Sequence, residues 1–360
     1  MRMIKSGKFA DKNILLIDKK PKDKNDRTWC YWEKQDGFFD EIVFKKWEAL
    51  NFYSHQFSSE LNIAPYTYKM IRGIDFYNYC FNEINRNNNI EICYDEVKEI
   101  SFVNGKLKIV LGNNNIEVDD SVVFNSIYKP IQDKDSKGIN LIQHFKGWLI
   151  ETEDPTFDTK IAMLMDFRVR QDKGTTFAYS LPFTSNSALI EYTLFTEKVL
   201  PQDNYDEGLR QYIQDVLGIR KYRITEEEFG IIPMTNQRFQ FYKDGMYYIG
   251  TAGGQTKASS GYTFQFIQKQ SAAIVDCLIN DESLLKLSLT PNRFHFYDNV
   301  LLRLLKENKL GGDQIFPRLF QRNKASTIFQ FLDNETSLQQ ELRLIATLPT
   351  LPFLKAAIKG

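Results

Sequence analysis

The sequence has little histidine, little cysteine and no surplus of either charge. His55, His144 and His295 are the only histidines among 360 residues. They stand far apart with no HxxxH or HExxH spacing, so no metal site is expected. Cys30, Cys80, Cys93 and Cys277 form no CxxC pair, which argues against a disulfide framework and fits a reducing cytosol. Lys plus Arg equals Asp plus Glu at 46 each, giving zero formal charge, whereas a nucleic-acid binder would show a basic stripe. No run of about 18 apolar residues occurs, so no conventional transmembrane helix is expected. The first ten residues carry cations but no apolar stretch and do not read as a signal peptide. A soluble or membrane-surface protein is expected.

What is present is an ordinary globular balance, 42% hydrophobic and 26% charged, long enough for two or three lobes. Aromatics stand out, with 28 Phe, 18 Tyr and 4 Trp. Two readings are open: codon bias, or an aromatic-lined apolar cavity. Ile14-Leu15-Leu16-Ile17-Asp18 reads as a buried parallel strand closed by an acid. Such an acid binds a ribose in dinucleotide folds, about 20 residues after a Gly-rich turn. Counting back passes Met1, so Asp18 is either an ordinary strand end or the remnant of a motif whose turn is missing. A helix is predicted over 75–87 and a meander over 90–123. Strands follow around 148–150, 161–165, 175–180 and 188–195, then a helix over 203–217. Met246-Tyr247-Tyr248-Ile249 runs into Gly250-Thr251-Ala252-Gly253-Gly254, and a helix is predicted over 262–278. Strand, glycine turn and helix N-terminus can present amides to an anion, although a plain tight turn has the same appearance. Gln255-Thr256-Lys257-Ala258 excludes a P-loop. Amphipathic helices are predicted over 298–309 and 313–332. The segment 342–358, broken by Pro349 and Pro352, suits a docked or membrane-skimming end.

Several stretches together resemble the flavin-dependent lycopene β-cyclases of flavobacteria-like bacteria. They include Ile14 to Asp18 with Asn25-Asp26-Arg27-Thr28-Trp29, Ile71-Arg72-Gly73, Gln143-His144-Phe145 with Gly147-Trp148, and Met165-Asp166-Phe167-Arg168. Leu189-Ile190-Glu191-Tyr192-Thr193, Gly230-Ile231-Ile232-Pro233-Met234, the stretch 250–264 and Phe331-Leu332-Asp333 continue the match in one order. The resemblance implies an α/β fold: a Rossmann-like FAD-binding domain (1–140 and 240–285), an antiparallel-sheet substrate lobe (141–239) and a helical C-terminal region (286–360). It implies cyclisation of the open ψ-ends of lycopene to β-rings, an isomerisation that needs reduced FAD with NAD(P)H as reductant. Lycopene would come from the membrane, with the protein cytoplasmic and peripheral on its inner face. Asp18 would hold the adenosine ribose and Arg72 would lie near the ADP. Gly250, Thr251, Ala252, Gly253 and Gly254 would pass the pyrophosphate and ribityl chain. Gly261, Tyr262 and Thr263 would face the flavin pyrimidine edge.

The family's Phe-Leu-Glu-Glu-Thr motif corresponds to residues 189–193, so the catalytic acid is carried to Glu191. Tyr179, Phe183, Tyr192 and Phe195 are candidates for stabilising a carbocation, alongside plain core roles. His144 is expected to be structural, and Asp166 with Arg168 either order the site or pair with each other. The family's N-terminal strand and Gly-x-Gly-x-x-Gly turn have no counterpart, so the Rossmann-like domain is expected to be N-terminally truncated and FAD binding weak. The other readings are a different FAD-dependent isoprenoid or aromatic oxidoreductase, or a non-catalytic carotenoid-binding remnant.

Overall fold

The computed structural model describes residues 1–130, 138–287 and 291–358. Its largest sheet follows from strict alternation. Along Ser187–Thr196 the side chains of Ala188, Ile190, Tyr192 and Leu194 point to one face, and Leu189, Glu191, Thr193 and Phe195 to the other. The strand pairs as a hairpin with Thr175–Thr184 around Ser185-Asn186. On its other edge it pairs with Asn140–Glu151, which pairs in turn with Arg223–Thr235. Ile161–Asp166, Ala49–Tyr53 and Ser58–Asn62 complete seven strands. All neighbours are antiparallel except Ile161–Asp166 with Ala49–Tyr53. The antiparallel expectation holds, with two strands added from residues 49–62.

Both faces of this sheet are covered. The outer face packs Trp148, Ile150, Ile190, Tyr192 and Leu194 against Tyr205, Leu209, Tyr212 and Ile213. The last four come from the helix Gln202–Gln211 and its continuation as a π-turn, Tyr212–Val216. The inner face carries Leu141, Phe177, Leu181, Leu189 and Phe195 in the main core, which also holds Phe316, Leu319, Phe320, Ile328 and Phe329. Burying each such side chain contributes about 1.5–3 kcal/mol.

The remaining strands form smaller sheets outside this one. Ile14–Asp18 pairs in parallel with Ile90–Tyr94, and Val123–Asn125 in parallel with Met246–Tyr248. Among the described residues no strand pairing joins the two parallel pairs. The meander is present as Val97–Val103, Lys106–Leu111 and Asn115–Val118. A three-stranded sheet of Thr28–Glu33, Thr67–Arg72 and Lys45–Trp47 roofs the inner face, and the helix Phe264–Ile279 lies beside it. The stretch 313–332 is two helices, Gly312–Arg322 and Ala325–Leu332, broken by extended backbone at Asn323. Their apolar faces are core. The exposed leucines of the C-terminal helices sit instead on Leu338–Ile345 and Thr350–Ile358.

Candidate active site

Four strands bring one row of residues together on the inner face. Tyr179 is opposite Glu191, Glu191 is opposite Gly147, and Gly147 is opposite Glu228. Directly paired residues share a face, so the row reads Tyr179, Glu191, Gly147, Glu228 across the sheet. Gly147 makes the carboxyl pair possible. A Cβ there would stand 2.9 Å from Glu228 Cγ and 3.1 Å from Glu191 Cγ, so a larger residue would wedge the two acids apart. Instead the carboxyls meet in a hydrogen bond across the bare backbone.

The roof completes the enclosure. Thr28 Oγ1 donates to Glu228 Oε2 at 3.0 Å, while Glu228 Oε1 is sealed from solvent and has no nitrogen or hydroxyl donor. Cys30 packs beside both acids. The hydroxyls of Tyr68 and Tyr179 bond to that of Tyr262. Burial pushes Glu191 well above the ordinary carboxylate range, and the nearby Glu228 charge pushes it the same way. Burial also raises Glu228, but the bonds from Glu191 and Thr28 oppose this. Both carboxyls are thus pushed upward, and the Thr28 hydroxyl favours the charged form of Glu228 alone. Burial also pushes the Tyr262 phenol up to about 12. The row thus sets a half-buried carboxylic acid, biased toward its neutral form, among aromatic side chains, the direction required of an acid that protonates carbon.

The glycine turn approaches this row from one side. Gly250–Gly253 forms one tight turn ended by Gly254 at φ 77°. At Gly253 a Cβ would lie 2.2 Å from the Tyr248 carbonyl oxygen, so only glycine fits. Gly250 N donates to Gln270 Oε1 at 3.2 Å, and Thr251 Oγ1 lies 3.2 Å from Thr256 Oγ1. Gly261, at φ 74°, approaches the inner face so closely that a Cβ would be 2.4 Å from Gln143 Oε1. The helix Phe264–Ile279 then begins without a side-chain cap, because Thr263 Oγ1 donates to Gly261 O at 2.9 Å. Its first amides keep their donors free of any capping side chain. Gln143 Oε1, Thr193 Oγ1, Ser260 Oγ and Gln270 Nε2 are buried without partners nearby. Unsatisfied buried polar atoms beside an uncapped helix start fit a polar, anionic cofactor.

The other expected residues fall in three places. Asp18 ends its strand opposite Tyr94, half-exposed, with Lys22 Nζ at 3.2 Å. Arg72 is held by Asp75 through bonds of 2.6 and 3.0 Å and lies over the Phe44 ring at 4.1 Å. Among the described residues no hydrogen bond or ion pair links Asp18 or Arg72 to the glycine turn. Tyr262, by contrast, meets the Glu191 row through its bond to Tyr179, and Gly261 packs on Gln143 and Ile232 of the same sheet face. Tyr179 shares that row and Phe195 belongs to the adjoining core, whereas Tyr192 points to the outer face. Asp166 and Arg168 pair at 2.7 Å, with Tyr212 donating to Asp166 Oδ2 at 3.0 Å. His144 sits on the outer face, its ring nitrogens 2.6 Å from the Tyr205 and Thr196 hydroxyls, and burial pushes it down to about 4. Glu228, Thr28 and Cys30 had no site role in the sequence reading. The one available signal was the acidic run Glu226-Glu227-Glu228 ahead of Gly230.

Comparisons with known proteins place this chain in a family. A family model described as "Lycopene cyclase protein" matches residues 5–358. The chain is 35% identical over 100 residues to a chloroplastic lycopene beta cyclase of Nicotiana tabacum, covering 24% of this chain and 20% of that protein. It is 25% identical over 209 residues to a lycopene beta-cyclase of Pseudescherichia vulneris, covering 54% of this chain and 53% of that one. The chain thus matches about a fifth and about half of those relatives' lengths. Among solved structures, it is similar to a geranylgeranyl bacteriochlorophyll reductase-like protein of Thermoplasma acidophilum. That likeness has a TM-score of 0.61 at 12% identity and covers 98% of this chain and 95% of the other. A flavoprotein/dehydrogenase of Cytophaga hutchinsonii gives a TM-score of 0.60 at 11% identity, covering 99% and 95%. These likenesses establish a mixed α/β, Rossmann-like flavoprotein fold.

Proposed function

Given that this chain belongs to the lycopene cyclase family, we propose that it closes the ψ-ends of lycopene into β-rings, with Glu191 as the acid that starts the reaction. The observation that carries this reading is the Glu191 carboxyl on the inner face, paired with Glu228 across Gly147 and flanked by Tyr179 and Tyr262. Glu191 gives its proton to the terminal alkene. A C–H bond forms, the resulting cation is attacked by the neighbouring double bond, and loss of a ring proton leaves the β-ring. No electrons are gained or lost. The aromatic faces around Glu191 stabilise the cation by roughly 0.5–2 kcal/mol each, and the enclosure keeps out water that would otherwise trap it.

FAD would lie along Gly250, Thr251, Ala252, Gly253 and Gly254, with Gly261, Tyr262 and Thr263 toward its ring. Asp18 would take the ribose and Arg72 would lie near the ADP. When bound in its reduced form, with NAD(P)H as electron source, it supplies negative charge beside the cation. Thr251 can bond the ribityl chain by its hydroxyl. Lycopene is a hydrocarbon that must be collected from a bilayer. Leu338 and Leu342 on one helix, and Leu351, Leu354 and Ile358 on the next, are all exposed. They would rest on the cytoplasmic face of the membrane. Among the described residues no helix is long and apolar enough to cross it.

The test is expression of the full chain in lycopene-accumulating cells, with Glu191→Gln alongside. Conversion of red lycopene to orange β-carotene by the parent, lost in the variant, supports the reading. Unchanged lycopene, or a product formed with stoichiometric NAD(P)H consumption, overturns it.

A further inference from the structure

The row contains a second acid to which the family resemblance assigned no role. Glu228 comes from a strand 37 residues beyond Glu191 and meets it only because both pair with Gly147. One of its oxygens takes the Thr28 hydroxyl at 3.0 Å, the other is buried without a partner, and the Glu191 carboxyl lies within reach of the same group. The groups facing the pair are Cys30 from the Thr28–Glu33 strand, Tyr179 from Thr175–Thr184 and Tyr262 from the loop after the glycine turn, with Tyr68 from Thr67–Arg72 beside those three. Glu226 lies along the Glu228 strand itself. None is a cation, and among the described residues no lysine, arginine or histidine bonds to either acid.

We propose that Glu228 is the positioning residue of the proton donor: a two-carboxyl, one-proton pair in which Glu228 stays ionised, anchored by Thr28, and holds the acidic proton on Glu191. This rests on the cyclase reading for its chemistry, although the pair itself does not depend on the substrate. Two half-buried carboxyls in contact do not both ionise without a cation beside them, so one proton is retained where a lone acid would release it. When Glu191 passes that proton to the alkene, its O–H bond breaks, a C–H bond forms, and two carboxylates face the new cation. The ring C–H bond then breaks to form the ring double bond, and its proton returns to the pair, which ends as it began. Proton and electron counts both close without a co-reactant.

The experiment compares the parent holoenzyme with Glu228→Gln by two readouts. The first is β-carotene formation against pH. Removing the Glu228 charge should move the alkaline limb, where Glu191 loses its proton, downward by about one pH unit, a tenfold loss at a fixed pH on that limb. A merely structural role would lower the rate at every pH and leave the limb in place. The second is infrared spectroscopy of the protonated carboxyl band that disappears in Glu191→Gln. It should persist to higher pH in the parent than in Glu228→Gln, whether or not lycopene turns over. If the parent does not cyclise lycopene, the cyclase reading fails while the infrared band still decides the pair. Should Glu228→Gln not fold, Gly147→Ala places a methyl between the acids and should move both readouts in the same direction. An unmoved limb and an unmoved band overturn the proposal.

Discussion

Replacing Glu191 by glutamine exchanges an ionisable buried group for a neutral one of nearly the same shape, and the consequence for stability has a definite sign. In the unfolded chain a glutamate loses its proton near pH 4.3. In the folded protein burial and the Glu228 charge hold that proton to much higher pH. Over the interval between the two values the folded state binds more protons than the unfolded state. The stability of the parent therefore falls as pH rises, by up to about 1.4 kcal/mol per pH unit for one proton. Below the interval both states are protonated and no penalty exists. The glutamine variant has no such titration, and its amide N–H₂ can still donate to Glu228 Oε1. An unfolding entropy of about 2.1 cal/mol/K per residue gives roughly 0.75 kcal/mol per degree for 360 residues. The Tm of Glu191→Gln should therefore gain on that of the parent by roughly 2 °C per pH unit above about pH 4.3. Scanning calorimetry from pH 4.5 to 8.5 measures it. Parallel Tm curves would refute the reasoning, because a carboxyl that titrates alike in both states is not buried against another charge. In the same variant cyclisation should fall by about 10²–10⁴, the usual worth of a general acid.

Other consequences are more local. Gly253→Ala forces a Cβ to 2.2 Å from the Tyr248 carbonyl oxygen, so the turn must open; flavin affinity, measured by fluorescence titration, should drop at least tenfold. Leu342→Glu with Leu351→Glu alters side chains that are 67% and 62% exposed. Flotation with phospholipid vesicles should be lost while Tm stays within about 1 °C, surface changes being nearly neutral. His144, pushed down to about 4 by burial, is protonated first in the unfolded chain as pH falls. The His144 contribution to stability should therefore decline as pH falls from about 6.5 to 4, and the Tm of His144→Gln should gain on that of the parent across that window.

How far the site was legible in the sequence depends on which interactions are local. The alternation Ala188, Ile190, Tyr192, Leu194 against Leu189, Glu191, Thr193, Phe195 is local, and it placed Glu191 on one face with Leu189 and Phe195. It could not say which face, because both are covered and both strings are largely apolar. The glycine turn and the helix after it were equally legible, since φ near +77° at Gly254 and the close approach at Gly253 are written into residue type. The helix over 313–332 was read as continuous because nothing in the local pattern marks Asn323 as a break; the extended backbone there is set by how the two halves pack into the core.

Glu228 was invisible for a different reason. In Glu226-Glu227-Glu228 two of the three acids are exposed, as an acidic run on a strand ordinarily is. What turns the third one inward is register. Gly147↔Glu228 and Gly147↔Glu191 are pairings across 81 and 44 residues of chain, and a slip of one residue in either would send a carboxyl to the opposite face. That register is held by hydrogen-bond ladders twelve residues long in Asn140–Glu151, so it is set by the assembled sheet and not by the three glutamates. The same dependence explains why glycine is required at 147. Its value lies in what it leaves open between two other strands, which no pattern along its own strand can express. A chemically unusual group, a carboxylic acid that stays protonated, thus arises from three ordinary residues whose significance exists only after the strands have paired.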